Sequence, residues 1–377
     1  HPRARSAQGR PVSTTPWLEV ISPGAYASVQ DAGRRGWRRI GVPWAGVLDP
    51  RLMRVANALA GNDGGAPAIE CFDGGLQLAA REGALRLAVA GDATVEVESA
   101  GERRLLSSWR SLTLAAGDVL RLRRLERGRI AVVAVEGLKL PKVLGSASTY
   151  ARAALGGVDG RALAAGARLP AVPASARPER MLAAAPKAAS AAAADPIRVV
   201  AGPQADHFTA AALAAFTESG YRITTDADRM GVRLEGPALV HQGAPEIVSD
   251  ATVPGSIQVP GNGQPIVLLA DAQTAGGYPK IATVIGADLP RLAASRPGQE
   301  LRFAWVDAAE GERLARAAEA ETLALLATLR PLLVGGVDEA ALYGGNLVSG
   351  FLHALSAEHR PAAPGGGQGV GSANGRA

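Results

Sequence analysis

The sequence predicts a mainly β protein with a few helices, built from two units of similar size. The composition is one reason: 46 glycines, 25 prolines and only 4% aromatic residues favour many short elements joined by tight turns. The second reason is the regular spacing of short apolar runs, which Gly-Asp pairs separate. The third is an Ala/Pro-rich stretch near the middle of the 377 residues, which divides the chain.

In the first unit, runs rich in Val, Leu and Ile predict the strands of an antiparallel barrel or sandwich. These runs are residues 85–89, 93–97, 112–114, 119–125 and 130–135. One helix interrupts the pattern. Asp49 is a favourable N-cap, Pro50 suits the first helical position, and Gly61 ends the apolar periodicity, so we expect a helix between them.

The second unit repeats this style. We expect strands at residues 197–200, 221–224, 257–259, 266–269 and 301–305. Thr209 is predicted to cap a helix that ends near Glu218, and a last helix spans about 308–328. DAGRRGWRRIG at 31–41 and DADRMGVRLEG at 226–236 match at six positions, which suggests a duplication.

These features predict five segments. Residues 1–16 are expected to be a flexible N-terminal extension and 17–169 an N-terminal β-barrel domain. Residues 170–195 read as an Ala/Pro-rich linker, and 196–330 as a C-terminal β-barrel domain with a C-terminal helix. Residues 331–377 are predicted to be a C-terminal extension with a flexible Gly-rich tail, because such a composition buries too little apolar surface to order itself.

The net charge of +5 could indicate a nucleic-acid binder, but the arginines are scattered. The densest group is Arg121, Arg123, Arg124, Arg127 and Arg129. The first two alternate with leucines, as the polar face of a strand does, and few aromatic residues lie between them. We therefore expect a solvated strand face and no nucleic-acid partner.

The single cysteine, Cys71, excludes an internal disulfide and a Cys-based zinc site, and it suits a reducing cytoplasm. The apolar runs are much shorter than the roughly 20 residues that a membrane helix needs. The histidines show no metal-ligand spacing. We expect a cytoplasmic protein with no membrane segment and no metal.

The densest polar window is residues 246–280, which includes VPGNGQPIVLLADAQTAGGYPK. A phosphate-binding loop requires Gly-Lys followed by Ser or Thr, whereas Lys280 follows Tyr278 and Pro279, so that motif fails. Glutamine side chains both donate and accept hydrogen bonds, and therefore suit the N–H/C=O pair of an amide or lactam. The alternative to such a binding site is that these polar side chains are simply exposed on loops.

Two residues outside this window are further candidates. Arg229 could hold a carboxylate or phosphate through its guanidinium, or brace an acidic loop. His207 lies at a turn before a helix, where it could transfer protons or support the loop.

The chain resembles the biotin-dependent carboxyltransferase-like family, whose members are also known as the C subunit of 5-oxoprolinase or as allophanate hydrolase subunit 2. The motifs that carry the resemblance are SVQDAGRRGWRRIGVPWAGVLDPRLMRVANALAGN (28–62), STYARAALGGVDGRAL (148–163), GPQADHF (202–208), DRMGVRLEGP (228–237) and IVSDATVPGSIQVPGNGQPIVLLADAQTAGGYPKIATVIGADLPRL (247–292). They span about residues 17–303 in the family's order. The resemblance implies two cyclophilin-like β-barrel domains.

It also implies a function. With ATP and a smaller partner subunit, such a chain phosphorylates the lactam of 5-oxoproline on the way to glutamate. In a fused relative, the homologous region moves CO2 from carboxybiotin to urea, and that alternative needs biotin on a separate carrier, because this chain has no Ala-Met-Lys-Met motif. A third branch of the family acts as a non-catalytic regulator that binds a kinase inhibitor.

We hypothesise that Gln258, Gln264 and Gln273 align a small amide or lactam substrate. Lys280 or Arg229 neutralises charge that develops on its oxygen, and Asp250 or Asp271 manages the proton. The other substrate-binding candidates are His207, Thr274, Gly276, Gly277 and Tyr278.

This chain departs from the family pattern in two places. Ala275 stands where the run Gln-Thr-Thr-Gly-Gly-Tyr has its second threonine, and QDAGRRG replaces a QDLGRPG-like segment. Loss of the hydroxyl puts full activity in question if that threonine touches the substrate.

Overall fold

A computed structural model describes residues 15–186 and 195–332, together with the backbone of 351–352 and 359–360. The chain divides into two units, residues 1–332 and 333–377. In the second unit, Phe351–Leu352 and His359–Arg360 form an antiparallel pair of strands. Nearly all of the predicted N-terminal extension, part of the predicted linker and most of the predicted C-terminal tail lie outside the described residues.

Two antiparallel sheets form the first half of the described chain. Its strands β1 to β12 are Trp17–Pro23, Tyr26–Gln30, Ala68–Phe72, Leu76–Arg81, Leu85–Ala90, Ala93–Ser99, Glu102–Ser107, Arg110–Leu114, Val119–Leu125, Ile130–Val135, Arg168–Pro170 and Arg180–Leu182. One sheet has the order β11-β1-β4-β9-β6-β7, and the other contains β2-β3-β10-β5-β8-β12. All five strands predicted in this half are present.

The core of the first half lies between these two sheets. Strands β5 and β10 are buried along their whole length, so each packs on both of its faces. One face packs on the opposite sheet through residues such as Leu87 and Val133, and the other contacts the helix α1 (Pro50–Ala60). Burial on both faces explains why these strands are continuous apolar runs without alternation.

Helix α1 begins and ends where the sequence predicts. The Asp49 carboxylate accepts hydrogen bonds from the backbone amides of Arg51 and Leu52 at 2.9 and 3.1 Å. Gly61 follows the last turn with a φ of 88°, a left-handed conformation that glycine adopts without strain. The helix buries its apolar face against β5, β8 and β10.

The second half of the described chain is built from strands β13 to β22. They are Ile197–Ala201, Tyr221–Ala227, Gly231–Glu235, Asp250–Ala251, Ser256–Gln258, Ile266–Leu268, Ala275–Gly276, Lys280–Val284, Glu300–Leu301 and Phe303–Trp305. Eight of them form one sheet with the order β21-β14-β15-β18-β17-β20-β13-β22. The two edge strands, β21 and β22, are separated in sequence by Arg302 alone, so the sheet must curl into a nearly closed barrel.

Three helices accompany this barrel: α2 (Ala210–Glu218), α3 (Leu289–Ala293) and α4 (Ala308–Ala327). Thr209 caps α2 as predicted, because its hydroxyl accepts from the Ala212 amide at 3.1 Å. On the same helix, the Phe216 ring stacks on Phe303 of β22 with centroids 4.6 Å apart. None of the helices within the described residues combines the length and apolar character that crossing a bilayer requires. The mainly β, barrel-forming fold predicted from the sequence is confirmed.

Part of the predicted linker belongs to the first-half sheet. Strand β12 (Arg180–Leu182) pairs with β8 and with β23 (Leu329–Pro331), which follows α4. The chain therefore returns to the first half after it has completed the second barrel. Both predicted barrels belong to the single unit formed by residues 1–332. A domain boundary between the two barrels therefore stays a prediction.

Acidic neighbours pair with four of the five arginines on β9 and the turn after it. The ion pairs are Arg121–Glu98 at 2.8 Å, Arg123–Glu96 at 2.6 Å, Arg127–Asp92 at 3.0 Å and Arg129–Asp73 at 2.8 Å. Pairs of this kind leave little free positive charge for a polyanion, which favours the solvated strand face.

A buried ion cluster joins the two halves. Arg229 of the second half donates from Nε and Nη2 to the Asp271 carboxylate, each at 3.0 Å. Its Nη1 donates to Glu70 on β3 of the first half, and Nη2 also reaches the carbonyl of Gly46. The second oxygen of Glu70 accepts from the Leu48 amide at 2.7 Å.

This cluster is held away from water. The side chains of Arg229, Glu70 and Asp271 are 5%, 0% and 9% exposed. Burial raises the pKa of Glu70 and of Asp271, although Arg229 opposes both shifts. Burial also disfavours the charge on Arg229, but the two carboxylates outweigh it and raise the pKa of the guanidinium.

The two similar sequence segments share a buried arginine. Arg34 and Arg229 occupy the same position in them, and both are buried. Arg34 donates through Nη2 to the Ser148 carbonyl at 2.5 Å. The backbone differs, because 38–40 form a short 3-10 helix whereas 231–235 form β15. The aligned arginines are therefore both buried, but in two different local structures, and the duplication stays a prediction.

We expect Arg229→Met to lower the free energy of unfolding by about 3–5 kcal/mol, because two carboxylates lose the cation that they share in a buried site. Chemical denaturation followed by circular dichroism measures this change. The matched control is Arg233→Met, four residues further along the chain, since Arg233 is 58% exposed and lies 4.0 Å from Asp226. That variant should change stability by less than about 1 kcal/mol. Equal stability of the two variants would contradict the bracing role of the cluster.

Candidate functional site

A buried lysine forms the centre of the candidate site. Lys280 begins β20, and its side chain is only 1% exposed. Its ammonium lies 2.9 Å from Oδ2 of Asp250, whose side chain is 48% exposed. Burying an ammonium is costly unless it is paired, so this one-sided pairing places a cation just beneath the protein surface.

Gln204 completes this pair, and sequence reasoning missed it. Its Nε2 donates to the same oxygen of Asp250 at 3.1 Å, and its Oε1 accepts from the backbone amide of Lys280 at 3.2 Å. Its own backbone amide donates to the Lys280 carbonyl at 3.3 Å. Gln204 lies in GPQADHF, one of the motifs that carry the family resemblance, and that location was the available signal.

Two predicted glutamines meet beside the lysine. Gln258 pairs with Lys280 across β17 and β20, at a bulge in the register. The Gln273 amide donates to Oε1 of Gln258 at 3.1 Å. Gln258 is 2% exposed, and its Nε2 is buried without a hydrogen-bond partner in the described part of the chain. Such an orphan donor is costly, and it marks a place where a ligand can supply the missing acceptor.

A short ribbon covers this orphan donor. Strands β16 and β19 pair Asp250 with Gly276 and Ala251 with Ala275. A Cβ atom on Gly276 would lie 2.6 Å from Nε2 of Gln258, so only glycine allows the ribbon to approach so closely. The backbone of the ribbon therefore packs directly against the side-chain amide of Gln258.

Hydrogen bonds at both ends secure the ribbon. The Thr252 hydroxyl donates to the carbonyl of Gln273 at 2.5 Å, and its amide donates to the carbonyl of Thr274 at 3.0 Å. Beyond the strand, the carbonyl of Gly277 accepts from the Ile247 amide at 2.7 Å. The predicted run 273–278 thus forms the outer wall of the site.

Tyr278 and His207 border the same region. Tyr278 follows the ribbon and is 41% exposed. The backbone amide of His207 donates to the Gln204 carbonyl at 3.1 Å, which places His207 on the turn that carries Gln204. Tyr278 lies two residues before Lys280 in the chain. His207 lies three residues after Gln204, which bonds to both Lys280 and Asp250.

Three predicted site residues lie elsewhere. Gln264 pairs with the backbone of Gly236, donating to its carbonyl at 3.0 Å and accepting from its amide at 2.9 Å. Arg229 and Asp271 bind each other in the cluster between the halves. The structure therefore does not bring these three side chains to Lys280, because each already has strong partners within the protein.

The charge state of the site suits a polar ligand. Hydrogen bonds hold the pKa of Asp250 below its usual value, and the bond from Lys280 contributes more than the bond from Gln204. The carboxylate is therefore ionised at neutral pH. Among the described residues, Asp250 is the only acceptor bonded to the ammonium, so two of its three N–H groups remain available.

Within the described part of the chain, neither a metal cluster nor a reactive thiol lies near this site. No three His, Cys, Asp or Glu side chains come together as metal ligands in residues 15–186 and 195–332. Cys71 is buried on β3, and burial raises its pKa to about 12. A thiol with that pKa is inert at neutral pH.

Comparison with known proteins identifies relatives that match most of the chain. Over 289 residues it is 38% identical to the 5-oxoprolinase C subunit of Escherichia coli, a match that covers 76% of this chain and 90% of the relative. It is 35% identical to the 5-oxoprolinase C subunit of Haemophilus influenzae, with 79% and 94% covered.

The fold also matches a solved structure. The urea amidolyase of K. lactis superposes with a TM-score of 0.72 at 25% identity, over 87% of this chain and 21% of the larger protein. The family model "Carboxyltransferase domain, subdomain A and B" matches residues 40–305, which include the Lys280 site and the ion cluster. This chain belongs to the carboxyltransferase domain family, subdomains A and B.

Proposed function

We propose that this chain is a subunit of an ATP-dependent 5-oxoprolinase, which acts with a smaller partner subunit to phosphorylate the lactam of 5-oxoproline on the way to glutamate. The observation that carries this proposal is the buried Lys280–Asp250 pair beside the Gln258–Gln273 amides. The identity to two proteins that bear the name of the 5-oxoprolinase C subunit supports the choice of reaction.

The proposed chemistry follows from the charges. A lactam presents N–H and C=O side by side, and the amides of Gln258 and Gln273 complement both groups. When the lactam oxygen bonds to the γ-phosphorus, the bond from that phosphorus to the ADP oxygen breaks and the lactam nitrogen loses its proton. The ionised Asp250 accepts that proton, and the Lys280 ammonium stabilises the negative charge nearby.

ATP needs more cations or backbone amides than the Lys280 site of this chain supplies. A triphosphate is bound by several cations or backbone amides, as at a helix N-terminus. The Lys280 site supplies one ammonium, and the neighbouring Arg38 is already bonded to the Thr252 carbonyl. We therefore assign most of the ATP site to the smaller partner subunit.

The cytoplasmic location of the protein stays a prediction.

Carboxyl transfer from carboxybiotin is the second candidate, favoured by the structural match to a urea amidolyase. The same site would align urea through its amides and stabilise the developing charge with Lys280. A biotinylated carrier protein would then bind this chain, whereas the 5-oxoprolinase complex would not need one. Capture of a biotinylated protein together with the chain would support the second candidate.

The first test is reconstitution. With the smaller partner subunit, the complex should hydrolyse ATP only when 5-oxoproline is present. We expect Lys280→Met to reduce kcat about 10²- to 10³-fold, because it removes a buried cation from the transition state. A coupled assay for ADP measures this loss. Lys142→Met, on an exposed loop, is the matched control and should retain full activity.

An intact complex without 5-oxoproline-dependent ATP hydrolysis would rule out the proposed reaction. Size-exclusion chromatography of the variant complex shows whether Lys280→Met still assembles. If it assembles and keeps its activity, Lys280 has no catalytic role.

The second test concerns the close approach of the ribbon. In Gly276→Ala the new methyl group would meet Nε2 of Gln258 at 2.6 Å and displace either the ribbon or the amide. We expect kcat/KM to fall about tenfold to a hundredfold. Gly243→Ala is the control, because a methyl group there meets nothing within 4 Å. Unchanged kinetics for Gly276→Ala would show that this packing does not matter for the reaction.

The third test restores the family residue. Ala275 is exposed on β19, so a threonine fits there without a clash. If its hydroxyl bonds the substrate in the transition state, Ala275→Thr should raise kcat/KM roughly fivefold, the effect of about 1 kcal/mol. Steady-state kinetics of the complex measure the change, and Ala275→Val, of equal shape, is the control. An equal response of both variants would exclude a role for the hydroxyl.

A further inference from the structure

A half-buried arginine of the first half contacts the ribbon of the candidate site. Arg38 begins the short 3-10 helix Arg38–Ile40, and its Nη2 donates to the backbone carbonyl of Thr252. Thr252 directly follows β16, one of the two strands of the ribbon, and is 2% exposed. This hydrogen bond therefore joins the first half to the ribbon.

Thr252 connects Arg38 with the two glutamines of the site. Its hydroxyl donates to the carbonyl of Gln273 at 2.5 Å, and its amide donates to the carbonyl of Thr274 at 3.0 Å. The side-chain amide of Gln273 in turn donates to Oε1 of Gln258 at 3.1 Å. A series of hydrogen bonds therefore runs from Arg38 to the side-chain amides that are proposed to align the lactam.

An aromatic ring supports the Arg38 side chain. The guanidinium carbon lies 5.3 Å from the centroid of the Trp44 ring, within the range of a cation–π contact. Backbone bonds fix the segment around Trp44. Its carbonyl accepts from the amide of Arg34 at 2.8 Å, and the next amide, of Ala45, donates to the carbonyl of Ala270 in the second half at 3.1 Å. Arg38 therefore rests on a part of the first half that is bonded to the second.

No ion pair accounts for the position of Arg38. Burial lowers the pKa of its guanidinium, and no carboxylate in the described part of the chain opposes that shift. A half-buried cation without a counter-charge is unfavourable, and an apolar side chain could cover Trp44 without that cost. The bond to the ribbon is therefore the contact that an arginine supplies here and an apolar residue does not.

We propose that Arg38 is a positioning residue for the proposed phosphorylation of the lactam, on which this role rests. By holding Thr252, it keeps the side-chain amides of Gln273 and Gln258 aligned with the substrate at Lys280. Arg38 acts only through the ribbon. Because a small misplacement of aligning groups is enough to slow a reaction, loss of this hydrogen bond reduces the fraction of bound substrate in the reactive geometry.

The first measurement follows the ribbon and needs no reaction. In Arg38→Met, hydrogen exchange of the full chain, measured by mass spectrometry, should be at least about tenfold faster in peptides covering 247–252 and 273–277, because a bond that fixes their backbone is lost. Strand β10 should exchange as in the wild type. Arg39→Met, which removes the exposed neighbouring arginine, should change neither region. Unchanged exchange of the ribbon in Arg38→Met overturns the proposal. Faster exchange of β10 as well would show a general structural role and would also overturn it.

The second measurement is steady-state ATP hydrolysis by the complex with the smaller partner subunit. Arg38→Met should lower kcat about tenfold and leave KM for ATP unchanged, since alignment is lost and nucleotide binding is not. Thr252→Val, which removes the hydroxyl that bonds to Gln273, should have a similar effect. The double variant should be no slower than the slower single variant, because both changes act through one segment. Arg38→Lys can still donate to the Thr252 carbonyl and should keep at least about a third of the wild-type kcat. Arg39→Met should keep full activity.

The two measurements separate the role of Arg38 from the proposed function. A wild-type complex without 5-oxoproline-dependent ATP hydrolysis contradicts the proposed function, and hydrogen exchange still decides whether Arg38 holds the ribbon. An active complex in which Arg38→Met keeps its kcat overturns the positioning role. The same holds if the losses of Arg38→Met and Thr252→Val multiply in the double variant, because the two residues then act independently.

Discussion

One buried guanidinium determines how the two halves of this chain meet. Arg229 binds Asp271 of its own half and Glu70 of the other, and these contacts use every nitrogen of its guanidinium. A buried charge that loses its partner costs several kcal/mol, so the halves cannot slide or separate without that cost. Backbone bonds from the amides of Asp271 and Leu269 to the carbonyls of Arg229 and Met230 fix the following segment.

That constraint extends to the candidate site. Gln273 lies two residues after Asp271, so the anchored segment leads directly into the ribbon that covers Gln258. The site needs this rigidity, because a buried ammonium and an unsatisfied amide are both unfavourable. The surrounding barrel holds Lys280 and Gln258 in place despite the free-energy cost of burying these polar groups. Such unfavourable groups are common where a protein binds a polar ligand.

The same fold occurs in relatives that are named for different reactions, so the fold does not choose the chemistry. The charged side chains of Lys280 and Asp250 narrow the choice of reaction. One lysine and one ionised aspartate suit the stabilisation of charge on an amide oxygen, and they do not suffice for a triphosphate. The charges at the Lys280 site alone therefore do not determine which of these reactions the chain performs.

Local patterns in the sequence determined the helix that Asp49 caps and Gly61 ends, the continuous apolar strands, and a polar window in which Asp250, Gln258, Gln273 and Lys280 lie close in the chain. Only the tertiary structure decided that Gln204 joins them and that Arg229 and Asp271 do not. It also decided that strands on either side of Arg302 close the barrel. The physical reason is range: caps and periodicity act between neighbouring residues, whereas these contacts depend on pairings between strands far apart in sequence.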